Sequence, residues 1–172
     1  MEPLLITVVL SSLLVIAFII FMIMIPAMSA PKNNPKDFLK QGRHPNTQTL
    51  VVCAGDSLTQ GTGSANYIDM LRQQRGADGY EFVNAGINGN LAWNVLQRLD
   101  EIIACQPDVV TLLIGTNDVN GTLNQKWENN YRKGQKIPQA PTLEWYRHNV
   151  EQIIDRLQTN TLAKIAILEI PM

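Results

Sequence analysis

Apolar residues are distributed very unevenly along the chain. From Leu4 to Ile25 the sequence reads LLITVVLSSLLVIAFIIFMIMI, and no charge appears between Glu2 and Lys32. A spanning helix needs about 20 apolar residues, at a rise of about 1.5 Å each, to cross roughly 30 Å of hydrocarbon. This run meets that requirement and predicts a membrane anchor over 1–30, ending at Pro26. Thr7, Ser11 and Ser12 fit such a helix, because their hydroxyls can bond back to helix carbonyls. A cleaved signal peptide is the alternative: Ala27-Met28-Ser29 fits a small-x-small cleavage site. Signal peptides, however, begin with basic residues and carry shorter apolar runs. A helix of a soluble core would need a polar face, and none exists here.

Residues 31–47 (PKNNPKDFLKQGRHPNT) are polar, and Pro31, Pro35 and Pro45 predict a linker without regular structure. Lys32, Lys36, Lys40 and Arg43 oppose only Asp37, so the positive-inside tendency places the C-terminal part in the cytoplasm of a single-pass membrane protein. Asn120-Gly121-Thr122 is a glycosylation sequon that matters only if the domain faces a lumen.

Residues 48–172 alternate two patterns. Thr49–Gly55, Tyr80–Gly86, Val109–Gly115 and Lys164–Ile170 are short runs rich in apolar and β-branched residues, as expected of strands buried on both faces. Between them, Tyr67, Ile68, Met70 and Leu71 give one helical face. Leu91, Val95, Leu96, Leu99, Ile102 and Ile103 give a second. Leu143, Tyr146, Val150, Ile153, Ile154 and Leu157 give a third. Strand, helix, strand, helix in this order predicts an α/β fold, a parallel sheet sandwiched between helix layers. Ligands in such folds sit beyond the carboxyl ends of the strands. The places to look are therefore the loops Asp56–Gly63, Ile87–Asn90 and Thr116–Pro141.

Composition narrows the function. With 14 Lys and Arg against 15 Asp and Glu, the net charge of −1 gives no electrostatic footprint for nucleic acid. Two Cys in 172 residues exclude a disulfide-built scaffold, and Cys53 and Cys105 read as small core residues. No His/Cys cluster has zinc spacing, and neither a metal nor a cofactor is expected. Gly61-Thr62-Gly63-Ser64 lacks the Gly-Lys-Ser/Thr of a phosphate-binding P-loop.

The three loops carry Gly55-Asp56-Ser57-Leu58-Thr59, then Asn84-Ala85-Gly86-Ile87-Asn88-Gly89-Asn90, then Gly115-Thr116-Asn117-Asp118. Taken alone, each is a turn with ordinary capping residues. Together and in this order they resemble the first three sequence blocks of the SGNH/GDSL hydrolases. The resemblance covers Thr49 to Met172. It implies a three-layer α/β/α sandwich, flavodoxin-like, and cleavage of an acyl ester of a lipid or an acylated sugar through an acyl-serine intermediate. By position, Ser57 matches the nucleophile. The backbone N–H of Gly89 and the side-chain amide of Asn117 match oxyanion donors, and the N–H of Ser57 completes the hole. Asp56 and Asp118 read as acceptors that shape the loops. Acyl transfer to an alcohol is compatible with the same residues.

The family places its base in an Asp-x-x-His block that is absent here. The two His residues are His44, before the first strand, and His148, inside a helical pattern. With KIAILEIPM closing the sequence, the reading is a partial hydrolase domain lacking base and orienting carboxylate. A non-catalytic membrane-tethered binding module is the alternative. The long polar stretch Val119–Ala140 reads as a recognition loop, in which Trp127 and Tyr131 can contact an acyl or sugar group and Arg132, Lys133 and Lys136 an anionic one.

Overall fold

The computed structural model describes residues 2–61 and 65–169, with side chains described over 8–21 within the first helix. That helix, α1, runs Glu2–Met28. Its described side chains lie open: Leu14 is 71% exposed and Phe18 62%. Among the described residues no helix is long and apolar enough to cross a membrane. The expected transmembrane anchor is therefore not found there, and the side chains at the two ends of the expected span, 4–7 and 22–25, lie outside the described residues.

The segment 31–47 departs from the expected linker. It holds a short helix, α2 (Pro35–Gln41). Proline starts this helix because Pro35 occupies its first turn, where a missing N–H costs nothing. Asn34 caps it, its Oδ1 accepting from the N–H of Asp37 at 3.1 Å. Phe38 then enters the core, 4% exposed.

The four strands are β1 (Thr49–Gly55), β2 (Tyr80–Gly86), β3 (Val109–Leu113) and β4 (Lys164–Ile167). They form one parallel sheet in the order β2-β1-β3-β4. The first two match the expected bounds. The third and fourth are shorter, ending at Leu113 and Ile167, and Ile170 at the expected end of the fourth lies outside the described residues. Alternation along β1 splits the sheet into two faces. Leu50, Val52 and Ala54 join the larger core, with Val83, Val110 and Leu112 from the neighbouring strands. Val51 and Cys53 join the smaller one, with Phe82 and Ile68.

Helices α3 (Ser57–Gln60) and α4 (Tyr67–Arg75) follow β1, a 3-10 turn (Gly76–Asp78) precedes β2, and α5 (Ala92–Gln97) and α6 (Leu99–Ala104) follow it. After β3 come α7 (Thr116–Asn120), α8 (Gln125–Gly134) and α9 (Leu143–Asn160). The periodic run 91–103 is thus two helices, broken at Arg98. Its guanidinium turns inward, donating from Nε to Asn90 Oδ1 at 2.9 Å and from Nη2 to the Gly55 carbonyl at 3.1 Å. The α/β sandwich with a parallel sheet is present among the described residues.

The outer edge of β2 is covered by the segment leading into α2. The N–H of Asn84 donates to the Asn33 carbonyl at 2.9 Å, and Asn33 Nδ2 donates to the Phe82 carbonyl at 2.7 Å. An edge strand so paired cannot template another chain. Residues 31–41 therefore belong to the folded unit. Phe38→Ala should cost about 3–5 kcal/mol in urea denaturation, the range for emptying a buried aromatic site; a change under about 0.5 kcal/mol, normal for exposed positions, would return this segment to the status of a linker.

Candidate active site

The reversal of strand order falls between β1 and β3, with β2 on one side and β4 on the other. Loops leaving the carboxyl ends on either side of such a reversal diverge and leave a crevice. Three of them carry the residues singled out by the sequence.

Ser57 begins α3, immediately after the helix-capping Asp56. Asp56 Oδ1 accepts from the N–H of Leu58 at 3.0 Å, so the carboxylate satisfies an otherwise unpaired amide of the first turn. Ser57 itself is half-buried, and among the described residues no hydrogen bond to its hydroxyl is formed.

Gly89 lies in a tight turn closed by the N–H of Asn90 on the Ile87 carbonyl at 3.2 Å. Its φ of +74° is costly for any residue with a Cβ. A Cβ there would also overlap the side-chain amide of Gln135. The turn thus requires glycine, whereas the Gln135 amide lies at the end of a flexible side chain that can shift.

Asn117, 7% exposed, sits between these two loops. Its Nδ2 donates to the Asn90 carbonyl at 2.9 Å and to Asp56 Oδ2 at 3.3 Å. Its Oδ1 accepts from the Tyr131 hydroxyl at 2.7 Å. Two acceptors on one side and a hydroxyl donor on the other fix the orientation of the amide. The structure therefore joins the loops of Ser57, Gly89 and Asn117 through one side chain. In this state both amide protons are engaged. The 3.3 Å contact to Asp56 is the longer, and an arriving acceptor can displace it; such bonds commonly tighten or exchange only when a ligand binds.

Two carboxylates lie beneath the crevice. Asp118, 4% exposed, accepts from the N–H of Ala92 at 3.1 Å. Burial pushes it up to about 7, against that hydrogen bond and with a smaller push from the negative charge of Asp56. Burial likewise raises Asp56, while the N–H of Leu58 pulls it down. Both act as acceptors that shape loops, as the sequence suggested. Arg98 is the cation of this region, and burial draws it down to about 10.

Neither His approaches these groups. His44 lies at the amino ends of the strands, its N–H on Glu81 Oε2 at 3.1 Å and its Nδ1 accepting from the N–H of Asn46 at 3.2 Å. His148 is on α9, exposed to solvent. The stretch 119–140 is a helix-bearing cover, with Trp127 and Tyr131 of α8 stacked at 6.1 Å. Tyr131, expected to meet substrate, instead holds Asn117. Gln135, which the sequence did not single out, bonds around Gly89: its Oε1 accepts from Asn90 Nδ2 at 3.2 Å, and its backbone carbonyl accepts from Asn94 Nδ2 at 3.0 Å. No motif marks it; only the fold brings it back onto the second loop. Gly61 of the excluded phosphate loop closes α3, and residues 62–64 lie outside the described ones.

A family model described as GDSL-like lipase/acylhydrolase matches residues 53–172. The chain belongs to this family. The GDSL-like match begins inside β1 and takes in all three loops. No curated protein matches the chain. Among solved structures, a catalytic mutant of an acetylxylan esterase from Geobacillus stearothermophilus is similar at 20% identity and a TM-score of 0.55, over 70% of this chain and 59% of that one. TesA is similar at 20% identity and a TM-score of 0.52, over 72% and 61%. A lipolytic protein of the G-D-S-L family from Desulfitobacterium hafniense DCB-2 is similar at 21% identity and a TM-score of 0.50, over 70% and 58%. These likenesses concern the fold. The chain spans about three fifths of the length of the solved structures it matches.

Removing the Tyr131 hydroxyl leaves Asn117 Oδ1 without its donor. Tyr131→Phe should cost about 1–2 kcal/mol in denaturant unfolding. It should also shift the side-chain amide resonances of Asn117 in ¹H–¹⁵N spectra; resonances identical to those of the unsubstituted chain would contradict the assigned contact.

Proposed function

We propose that this GDSL-like chain carries the acyl-transfer half of a serine ester hydrolase, with Ser57 as nucleophile. The observation that supports it best is the bonding of Asn117, which ties Asp56, next to Ser57, to Asn90, next to Gly89. In the proposed reaction Ser57 Oγ attacks the carbonyl carbon of an acyl ester. A new Oγ–C bond forms, the carbonyl π pair moves onto oxygen, and the hydroxyl proton passes to a base. Collapse of the tetrahedral intermediate expels the alcohol and leaves an acyl-serine, which water then cleaves.

Charge developing on the carbonyl oxygen calls for donors fixed in advance. The N–H groups of Gly89 and Ser57 and the Nδ2 of Asn117 fill that role. Each such donor can be worth about 3–4 kcal/mol of transition-state stabilisation. All three are neutral, so no unpaired charge needs burying before substrate arrives.

The proposed substrate is an acyl ester, and the proposed location is a membrane surface. The charge-free apolar run and the exposed side chains of Leu14 and Phe18 along α1 support attachment to that surface. Lys32, Lys36, Lys40 and Arg43 favour the cytoplasmic side.

Since neither His44 nor His148 reaches the site, a diffusible base should substitute. Added imidazole should raise the Ser57-dependent turnover of p-nitrophenyl acetate, measured as the difference from Ser57→Ala, by about tenfold or more, in keeping with the weight of a general base. Mass spectrometry should find the acetyl group on Ser57. Equal rates for the unsubstituted and Ser57→Ala chains, with no acyl adduct, would overturn the reading.

A further inference from the structure

The chain carries a net charge of −1, yet its cations are not evenly spread. α8 and the turn after it set Lys126, Arg132, Lys133 and Lys136 against a single acid, Glu128. Glu128 is taken by Arg132 at 3.7 Å. Lys126, Lys133 and Lys136 are exposed, and among the described residues none of the three is in an ion pair. Helical spacing sorts the sides of α8. Tyr131 turns to Asn117, whereas Lys126 and Lys133, two turns apart, share the side turned away from it.

α8 buries none of its residues. It is held to the domain by polar contacts, the Tyr131 hydroxyl on Asn117 and Gln135 on the second loop. Beside the lysines, Val119, Leu123 and Trp127 recur every fourth residue, and all three are exposed. Exposed Leu143, at the start of α9, lines a small cavity together with Val119. Unpaired cations next to an aromatic and several exposed aliphatic side chains are the composition of a surface that rests in a lipid head-group layer.

α1 joins the domain at this same rim. The Ser29 carbonyl, directly after α1, accepts from Gln60 Nε2 at 2.9 Å, and Gln60 Oε1 accepts from the N–H of Asn88 at 2.6 Å. The Asn88 carbonyl in turn accepts from Nε2 of Gln135, the residue that closes α8, at 3.4 Å. The ends of α1 and α8 thus meet on one residue of the second loop. The amino ends of the strands have a different surface, where Arg43 pairs with Asp108 and Glu81 accepts from the His44 N–H. Attachment through α1 therefore brings the carboxyl-end rim nearest the bilayer.

We infer that the outer side of α8 is a docking surface for a bilayer containing anionic phospholipid. Lys126, Lys133 and Lys136 meet the head-group phosphates, while Trp127 and Leu123 reach the boundary between head groups and acyl chains. Docking sets the candidate site about 10 Å, one helix diameter, from the head-group layer. The inference rests on the membrane location proposed through α1 and makes no use of the ester chemistry proposed for Ser57.

The test places the full chain in vesicles of phosphatidylcholine, alone or mixed with phosphatidylglycerol, that contain a nitroxide-bearing lipid as quencher. An NBD fluorophore is attached in turn to Leu14→Cys in α1, Asn130→Cys on the outer side of α8, and Asn46→Cys at the amino ends of the strands; the native Cys53 and Cys105 are buried. The label at 14 should be quenched in both vesicles, the label at 46 in neither, and the label at 130 only with phosphatidylglycerol. Lys126→Gln, Lys133→Gln and Lys136→Gln should each lower the docked-to-free ratio at 130 by about fivefold, the weight of one basic side chain near an anionic surface, and leave quenching at 14 unchanged. Raised salt should weaken docking in the same way. A label at 14 quenched in neither vesicle would overturn the membrane location. A label at 130 that is unquenched with phosphatidylglycerol, equally quenched in both vesicles, or indifferent to loss of all three lysines would overturn the docking surface, whatever the label at 14 shows.

Discussion

The candidate site depends on the hydrogen bonding of a single buried amide. Asn117 faces Asp56 and Asn90 with its nitrogen and Tyr131 with its oxygen. The parallel sheet delivers three loops to one edge, but parallel strands alone do not fix how those loops meet. A buried side chain with donors on one side and acceptors on the other does fix it, because leaving any of its groups unpaired is costly. Through Asp56 the amide orients the loop of Ser57. Through Asn90 it orients the turn of Gly89. Through Tyr131 it holds the long excursion between β3 and α9 over both.

This bonding also sets the electrostatics. Asp56 and Asp118 are buried near each other, and burial raises both. A crevice floor less inclined to carry negative charge suits a reaction that creates an oxyanion. Arg98 lies on the other side of Asn90, spending its donors on Asn90 and on the carbonyl that ends β1. Its inward turn breaks the helix that would otherwise run from 92 to 104. A local rule of helix continuity thus yields to the need to pair a strand-end carbonyl beneath the site.

The strands and the three loops were readable in the sequence because their signals are local. Glycine ends β1 and β2 and opens the turn before α7, and apolar runs precede each. What escaped the sequence is what tertiary contact decides. Pro35 suggested a break, yet it starts a helix because it falls in the first turn and Phe38 has a core to enter. Tyr131 looked like a substrate contact, since an aromatic in a long polar stretch gives no sign of which way it faces. Gln60 and Gln135 carry no motif. They matter because the chain folds back 28 residues in one case and 45 in the other to meet the second loop.

Asn117 and Gly89, in the proposed role, donate to the carbonyl oxygen of a group held on Ser57, and such donation must polarise that carbonyl. Isotope-edited infrared spectroscopy of the chain acetylated at Ser57 with a ¹³C=O label reads the polarisation. The carbonyl stretch should fall at lower frequency than that of a free serine ester, and should return toward the free value in Asn117→Ala. A stretch equal to that of the free ester, and unmoved by Asn117→Ala, would contradict the oxyanion role of these donors.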